Sequence, residues 1–251
     1  MGAAAIWYAL TSGQVLTAAW NWPSFLLVIG GTAASTFVTF PFEVLKNVPK
    51  SFFLTFFPQK KLSPNAVIER LCKLAEIAHI KGIDALPEQL APQDNHFLKS
   101  GVEMLLNEWS EENIKESMER DLESVLERHQ EVQKVFATAG GYAPVYGLMG
   151  TLIGMLAVLR DLGNTKAMGM GMMVAILTTF YGIVFSNFIL LPVAGKLETL
   201  SAREILIKQI IMIGVLSIKK DESPLVLRNK AEKYLAEHIR QERIKASAKK
   251  E

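Results

Sequence analysis

Thr178 and Thr179 stand side by side in an uncharged apolar run, 167–194, and Ser186 and Asn187 follow on later turns. Thr151 lies in a second such run, 139–159. Side-chain oxygens in an apolar setting can replace the water around a small cation, as in the filters of channels. The same hydroxyls often donate back to their own helix, which asks nothing of an ion. The second run, "GGYAPVYGLMGTLIGM" at 140–155, is dense in glycine and has Pro144 within it; Pro192 lies near the end of the first. Gly147, Gly150 and Gly154, with Gly182 in the other run, form strips of small residues of the kind that let membrane helices approach closely. Spacing alone fits plain helix packing as well as an ion path.

An ion path across hydrocarbon normally needs an ionisable relay. Neither run has Asp, Glu, Lys, Arg or His at depth. Either the chain moves no ion, or another chain supplies the carboxylate. His79, His96, His129 and His238 are scattered and leave no metal-ligand spacing. The lone Cys72 excludes an internal disulfide and reads as a small buried apolar residue. A formal net charge of +2, with no basic patch interleaved with aromatics, argues against nucleic acid as a partner.

Half of the 251 residues are hydrophobic, yet 21% are charged. The two classes are segregated: 1–41 and 139–195 are almost free of charge, whereas 42–138 and 196–251 hold nearly all of it. That pattern predicts an all-α, polytopic membrane protein: four transmembrane helices with a helical cytoplasmic domain. The expected spans are about 1–18, 23–41, 139–160 and 167–194, with a cytoplasmic loop over 42–138 and a cytoplasmic tail over 196–251. The first is short for a crossing and interrupted by Thr11, Ser12, Gly13 and Gln14, so part of that helix is expected upstream of Met1. Lys46, Lys50, Lys60 and Lys61 follow the second span, and Lys196, Arg203 and Lys208 follow the fourth, whereas 13–22 has no Lys or Arg. The positive-inside rule therefore places both termini in the cytoplasm, against a weaker signal from Arg160 and Lys166.

Within the loop, "SPNAVIERLCKLAEIAHIKG" repeats apolar residues at helical spacing and stops at Gly82. "LPEQLAPQD" reads as a proline-containing loop and "NHFLKSGVEMLLNEWS" as a short helix. Ser110 opens a long helix, with Asn113 at capping distance, that feeds directly into the third span. The first half of the tail reads as an amphipathic helix packed on the loop helices.

Four blocks, in order, resemble the MotA branch of the MotA/TolQ/ExbB group: "PSFLLVIGGTAASTFVTFPFEVLKNVPK" at 23–50, "NHFLKSGVEMLLNEWSEENIKESMERDLESVLERH" at 95–129, "APVYGLMGTLIGM" at 143–155 and "MVAILTTFYGIVFSNFILLPVAGKL" at 173–197. The Ala-Pro…Gly-x-x-Gly-Thr-x-x-Gly pattern and the Thr-Thr-x-Tyr-Gly…Asn…Pro pattern are the specific part. Four spans and a long loop before the third separate this branch from TolQ and ExbB, which typically have three.

The resemblance implies a bacterial inner-membrane stator subunit, not an enzyme, with no cofactor beyond transported H+ or Na+. It implies five copies around a dimer of a single-span, MotB-like partner whose Asp carries the ion, and a rotor contact through FliG. Pro144 and Pro192 match family prolines that couple ion passage to movement. Thr151 and Thr178 or Thr179 match threonines facing the partner helices. The family's rotor-facing pattern, Arg-x-x-Gly-x-x-x-Leu-Glu, is only partly kept. Aligned on Gly82 and Leu86, His79 stands in the Arg position and Pro87 in the Glu position, with Lys81 and Glu88 as charged neighbours. Two other readings remain: an energiser of outer-membrane import like ExbB or TolQ, and a membrane scaffold without ion flow.

Overall fold

Helix signals in the sequence are local, and most of them act where they stand. The computed structural model describes residues 20–56, 63–91 and 94–248, and among these there is no strand. The expected span at 1–18 lies outside the described residues. Three described helical stretches are long and apolar enough to cross a membrane: Trp22–Thr39, Glu111–Arg160 and Thr165–Lys219. The chain divides into two compact units, one built from the described residues up to 58 with His129–Glu198, the other from those of 59–128 with Thr199 onward. These units cut across the loop and tail drawn from charge alone. Residues 42–56 and 129–138 pack with the spans, because their apolar faces lie against span residues.

In the first unit, α1 (Trp22–Thr39) starts at Asn21, whose side chain accepts a hydrogen bond from Ser24 N–H at 3.0 Å, and Pro23 fills a position where a missing N–H costs nothing. Pro41 stops it, and two short helices follow, α2 (Phe42–Leu45) and α3 (Val48–Phe56). Val44 joins Val135, Phe136, Ala139, Leu190 and Val193 in a core, and Phe52 stacks on Phe136 with ring centroids 6.4 Å apart.

The second unit begins with α4 (Pro64–Lys81). Ser63 caps it, accepting from Ala66 N–H, and Gly82 ends it at φ +87°, a conformation glycine takes without cost. Its buried face, Val67, Ile68, Leu71, Leu74 and Ala75, is the one the spacing predicts, and Cys72 is buried on it. Burial pushes the Cys72 thiol up, so it behaves as a small apolar group. A 3₁₀ turn, Ile83–Ala85, follows, and the first four residues of the stretch read as a proline loop form a one-turn helix, α5 (Leu86–Gln89). Pro87 sits in its first turn, where proline is tolerated, and Leu86 is fully buried.

After α6 (His96–Leu106), the 50-residue α7 (Glu111–Arg160) opens with Asn113 N–H bonded to Ser110 Oγ at 3.2 Å and two glutamates on its first turn, which suit the positive end of the helix dipole. Its first part packs in this unit through Ile114 and Met118. The final helices are α8 (Thr165–Val184), α9 (Leu191–Lys219) and α10 (Pro224–Ala248), a π-helical segment, Phe185–Leu190, joining α8 to α9. Ile210, Ile211 and Val215 of α9 meet Leu71, Leu74, Leu105 and Leu227, which bears out the packing of the amphipathic tail on the loop helices.

Arg70 ties this unit's irregular segment down. It donates to the Gln89 carbonyl and to Asp94 Oδ2 at 2.9 Å, and Asp94 also accepts from Ala91 N–H at 2.8 Å. Burial works against the Asp94 carboxylate, but the Arg70 and Ala91 hydrogen bonds outweigh it and hold the carboxyl below its usual range. A lowered carboxyl contributes stability that is fully present above its unfolded value and is lost as pH falls through the folded one. Asp94→Asn should therefore cost about 1–3 kcal/mol at neutral pH. The gap to the parent protein should close only below about pH 4, read from thermal melts across a pH series.

Candidate ion-coupling site

The α7–α8 hairpin turns at 161–164, where Asn164 caps α8 by accepting from Lys166 and Ala167 N–H. Beyond the turn the two helices touch backbone to backbone. A Cβ on Gly154 would lie 2.6 Å from Gly171 O and 2.7 Å from Ala175 N. One on Gly147 would lie 2.9 Å from Thr178 O, and one on Gly182 would lie 2.7 Å from Ala143 O. One on Gly150 would run into the Thr178 side chain. Gly147, Gly150, Gly154 and Gly182 are thus brought together as one seam, with Gly171 added, a glycine that the spacing of the other four did not single out.

The hydroxyls divide into two kinds. Thr178 is fully buried on the seam under Gly150, and its Oγ1 donates to Val174 O at 2.9 Å and Ala175 O at 3.1 Å. Thr179, one step round, is half-buried and donates to Ala175 O at 3.3 Å. Thr151 is half-buried, donates to Leu148 O at 2.6 Å, and is bordered by exposed Leu148, Leu152 and Met155. In each case the proton is committed to the helix, so only lone pairs are left to offer. Thr151 and Thr179 can present them outward; Thr178 cannot unless the seam opens.

Both prolines interrupt a helical ladder. Pro144 sits inside α7, half-buried, and has no N–H for the carbonyl four residues back, that of Gly140. Pro192 is exposed in the first turn of α9, directly after the π segment, where Leu191 N–H reaches five residues back to Ser186 O. The two breaks face each other: Ser186 Oγ donates to Gly140 O at 2.7 Å, and Leu191 packs on Gly140. Three tyrosines fasten α1 to this hairpin. Tyr146 OH lies 2.5 Å from Ser35 Oγ, Tyr142 OH lies 3.0 Å from Thr39 Oγ1, and Tyr181 OH accepts from Asn21 N–H at 3.2 Å. Gly31 makes room for the Tyr146 ring. In the sequence Tyr142 and Tyr146 carry no signal beyond their place in an otherwise apolar span, and Tyr181 enters only as part of the Thr-Thr-x-Tyr-Gly pattern.

Of the residues expected to meet a rotor, His79 and Lys81 close α4 and Glu88 lies on α5, all in the second unit and all exposed. His79 Nδ1 lies 2.8 Å from Asp221 Oδ1. Among the described residues no group of His, Cys, Asp and Glu is placed to hold a metal ion.

The seam yields a graded outcome. Gly154→Ala should destabilise the detergent-solubilised protein by about 1–3 kcal/mol, because the opposing atoms are backbone and cannot yield. Gly141→Ala, with nothing within 4 Å, should leave the melting temperature unchanged or slightly higher. Thermal melts of the two variants side by side make the comparison.

The chain as a whole has relatives among known proteins. The MotA/TolQ/ExbB proton channel family matches residues 90–210. Motility protein A of Bacillus subtilis is 33% identical, over 90% of this chain and 86% of its own. The uncharacterized protein YtxD of the same organism is 32% identical, over 80% and 74%. The structure of the flagellar MotAB stator complex from Bacillus subtilis superposes with a TM-score of 0.82 at 31% identity, over 91% of this chain and 92% of that one. Likeness over nearly the whole length, in sequence and in fold, means that this chain belongs to the MotA/TolQ/ExbB proton channel family.

Proposed function

We propose that this chain is the stator subunit of a flagellar motor, forming with a MotB-like single-span partner an ion channel that turns an ion gradient into rotation. The observation that carries this reading is a pairing. The described spans have half-buried hydroxyls at Thr151 and Thr179 beside an exposed apolar face, and no ionisable side chain at depth. A large apolar face in need of cover and a path lacking its charge call for the same thing, a second chain bearing a carboxylate. The Motility protein A relatives and the MotAB stator structure support it.

In this reading the protein lies in the bacterial inner membrane with both termini in the cytoplasm. Residues 1–41 hold the first two spans and 139–195 the last two. Five copies ring a partner dimer whose Asp binds H+ or Na+. Thr151 and Thr179 line the path, and Thr178 stiffens the seam behind them. Pro144 and Pro192 let the helices flex where the partner's charge changes. A gradient of about 150 mV supplies roughly 3.5 kcal/mol per charge, several times thermal energy and enough to bias a stepwise turn. His79, Lys81 and Glu88 meet the rotor protein FliG, with His79 standing where the family's Arg would be.

Deleting the gene should leave cells paralysed with intact filaments in electron micrographs, and restoring it with its partner gene should restore swimming. Normal swimming, with outer-membrane leakage or an iron-uptake defect, would instead identify an import energiser of the TolQ or ExbB kind. Thr179→Val should cut ion flux through the complex by about tenfold, since one oxygen ligand is lost without loss of volume. Lys81→Glu should slow swimming while leaving ion flux intact, because its charge faces the rotor; equal loss of both would remove Lys81 from the rotor contact.

A further inference from the structure

A proline inside a membrane helix leaves a carbonyl that must find a donor elsewhere, since hydrocarbon offers none. Here the carbonyl is Gly140 O, and the donor comes from another helix. Ser186 is 2% exposed, its Oγ is 2.7 Å from Gly140 O, and it belongs to the π-helical segment Phe185–Leu190. The π segment is itself a slip in the ladder, with Leu191 N–H bonded to Ser186 O five residues back, immediately before Pro192. One serine thus joins two irregularities by both its ends. Its backbone carbonyl closes the π turn and its hydroxyl closes the gap that Pro144 opens.

We propose that Ser186 is a positioning residue for force coupling, a latch whose hydroxyl replaces the N–H that Pro144 withholds from Gly140 and so clips the break in α7 to the break between α8 and α9. The proposal rests on the stator reading for its functional half. A proline break and a π turn are both places where a helix can change direction at low cost. Left separate, each would flex on its own and dissipate a local movement. Joined through a single hydrogen bond, a bend at Pro144 must move Ser186, and with it the start of α9. Neighbouring polar groups do not duplicate the connection: the Asn187 side chain donates to Ile183 O within its own helix, and Thr178 and Thr179 are committed to theirs.

The test has two arms on the full chain with its partner. The first is a double-mutant cycle on the melting temperature of the purified complex, using Ser186→Ala, Pro144→Ala and both together. Pro144→Ala restores the N–H to Gly140, so Ser186→Ala should lower the melting temperature by several degrees in the parent and by little or nothing beside Pro144→Ala. Additive shifts would overturn the latch. The second arm compares motor speed at high load with ion entry, followed by an intracellular pH or sodium dye. Ser186→Ala should slow the motor about twofold or more while ion entry per complex stays near the parent's. Parental speed would overturn the coupling role even with the latch established, and a proportional fall in both would make Ser186 part of the ion path instead. If the parent complex drives no motor at all while the cycle is non-additive, the stator reading fails and the latch stands.

Discussion

Two helices come within backbone contact only where at least one of the facing residues carries no side chain, and the first unit is organised around that limit. At Gly147, Gly154, Gly171 and Gly182 the opposing atoms are mostly backbone, carbonyl oxygens, amide nitrogens and α-carbons, joined by the Ala175 methyl and a Val158 methyl. With no hydrophobic gain between helices in lipid, such close approach supplies the dispersion and dipolar contact that holds them together. It also settles rotation. Once the glycines face each other, Thr178 is forced inward, Thr151 and Thr179 come out to the flank, and an apolar surface from Leu148 to Met155 is left facing away. The seam therefore decides which hydroxyls an ion can meet.

Backbone polarity sets the second limit. In water an orphaned carbonyl costs little; in hydrocarbon it costs several kcal/mol, so Pro144 is tolerable only with a partner for Gly140. Ser186 is that partner. Three hydroxyls of α1 meet the same constraint differently: Thr36 donates back to Thr32 O, and Ser35 and Thr39 meet the tyrosines of α7, whereas the buried Ser24 and Thr32 hydroxyls have no partner among the described residues. At Ser35, Thr36, Thr39 and Ser186 the spans are polar in composition and yet closed in their bonding.

Local rules made much of this legible. Ser63, Gly82 and Ser110 mark helix ends through side-chain and backbone bonds to residues within four positions, and the buried face of α4 follows from its apolar spacing. The spans stand out because charge is absent over a membrane's thickness. What stayed hidden depends on partners far apart in the chain or on departures from the 3.6-residue period. Residues 86–89 turn as a helix with Leu86 fully buried in the core of the second unit, a tertiary fact. The π segment leaves no mark in an apolar run, since Phe, Ile and Leu suit either ladder. Thr178 and Thr179 are chemically alike, and only the position of Gly150 on the facing helix separates them. Ser186 was visible as a polar residue, and its bond was partly deducible: a proline at 144 demands a donor near residue 140, and Ser186 and Asn187 are the hydroxyl and amide closest to the matching depth.

Magnitudes separate the parts that move from those that hold. An ion step worth roughly 3.5 kcal/mol is spread over charge relocation and motion. A single neutral hydrogen bond such as that from Ser186 to Gly140 has a net value of about 1 kcal/mol, within reach of one step. The seam is different in kind. Its backbone contacts span three turns of two helices, and opening it would strip dispersion contacts from every glycine at once while leaving the cavity cost unpaid by any solvent in the bilayer. A force arriving at this hairpin is thus expected to bend it at the prolines and exchange the latch rather than unzip the glycines. The chain separates its two tasks by chemistry: side-chain-free contact gives the rigid lever, and one hydroxyl between two helix breaks gives the joint.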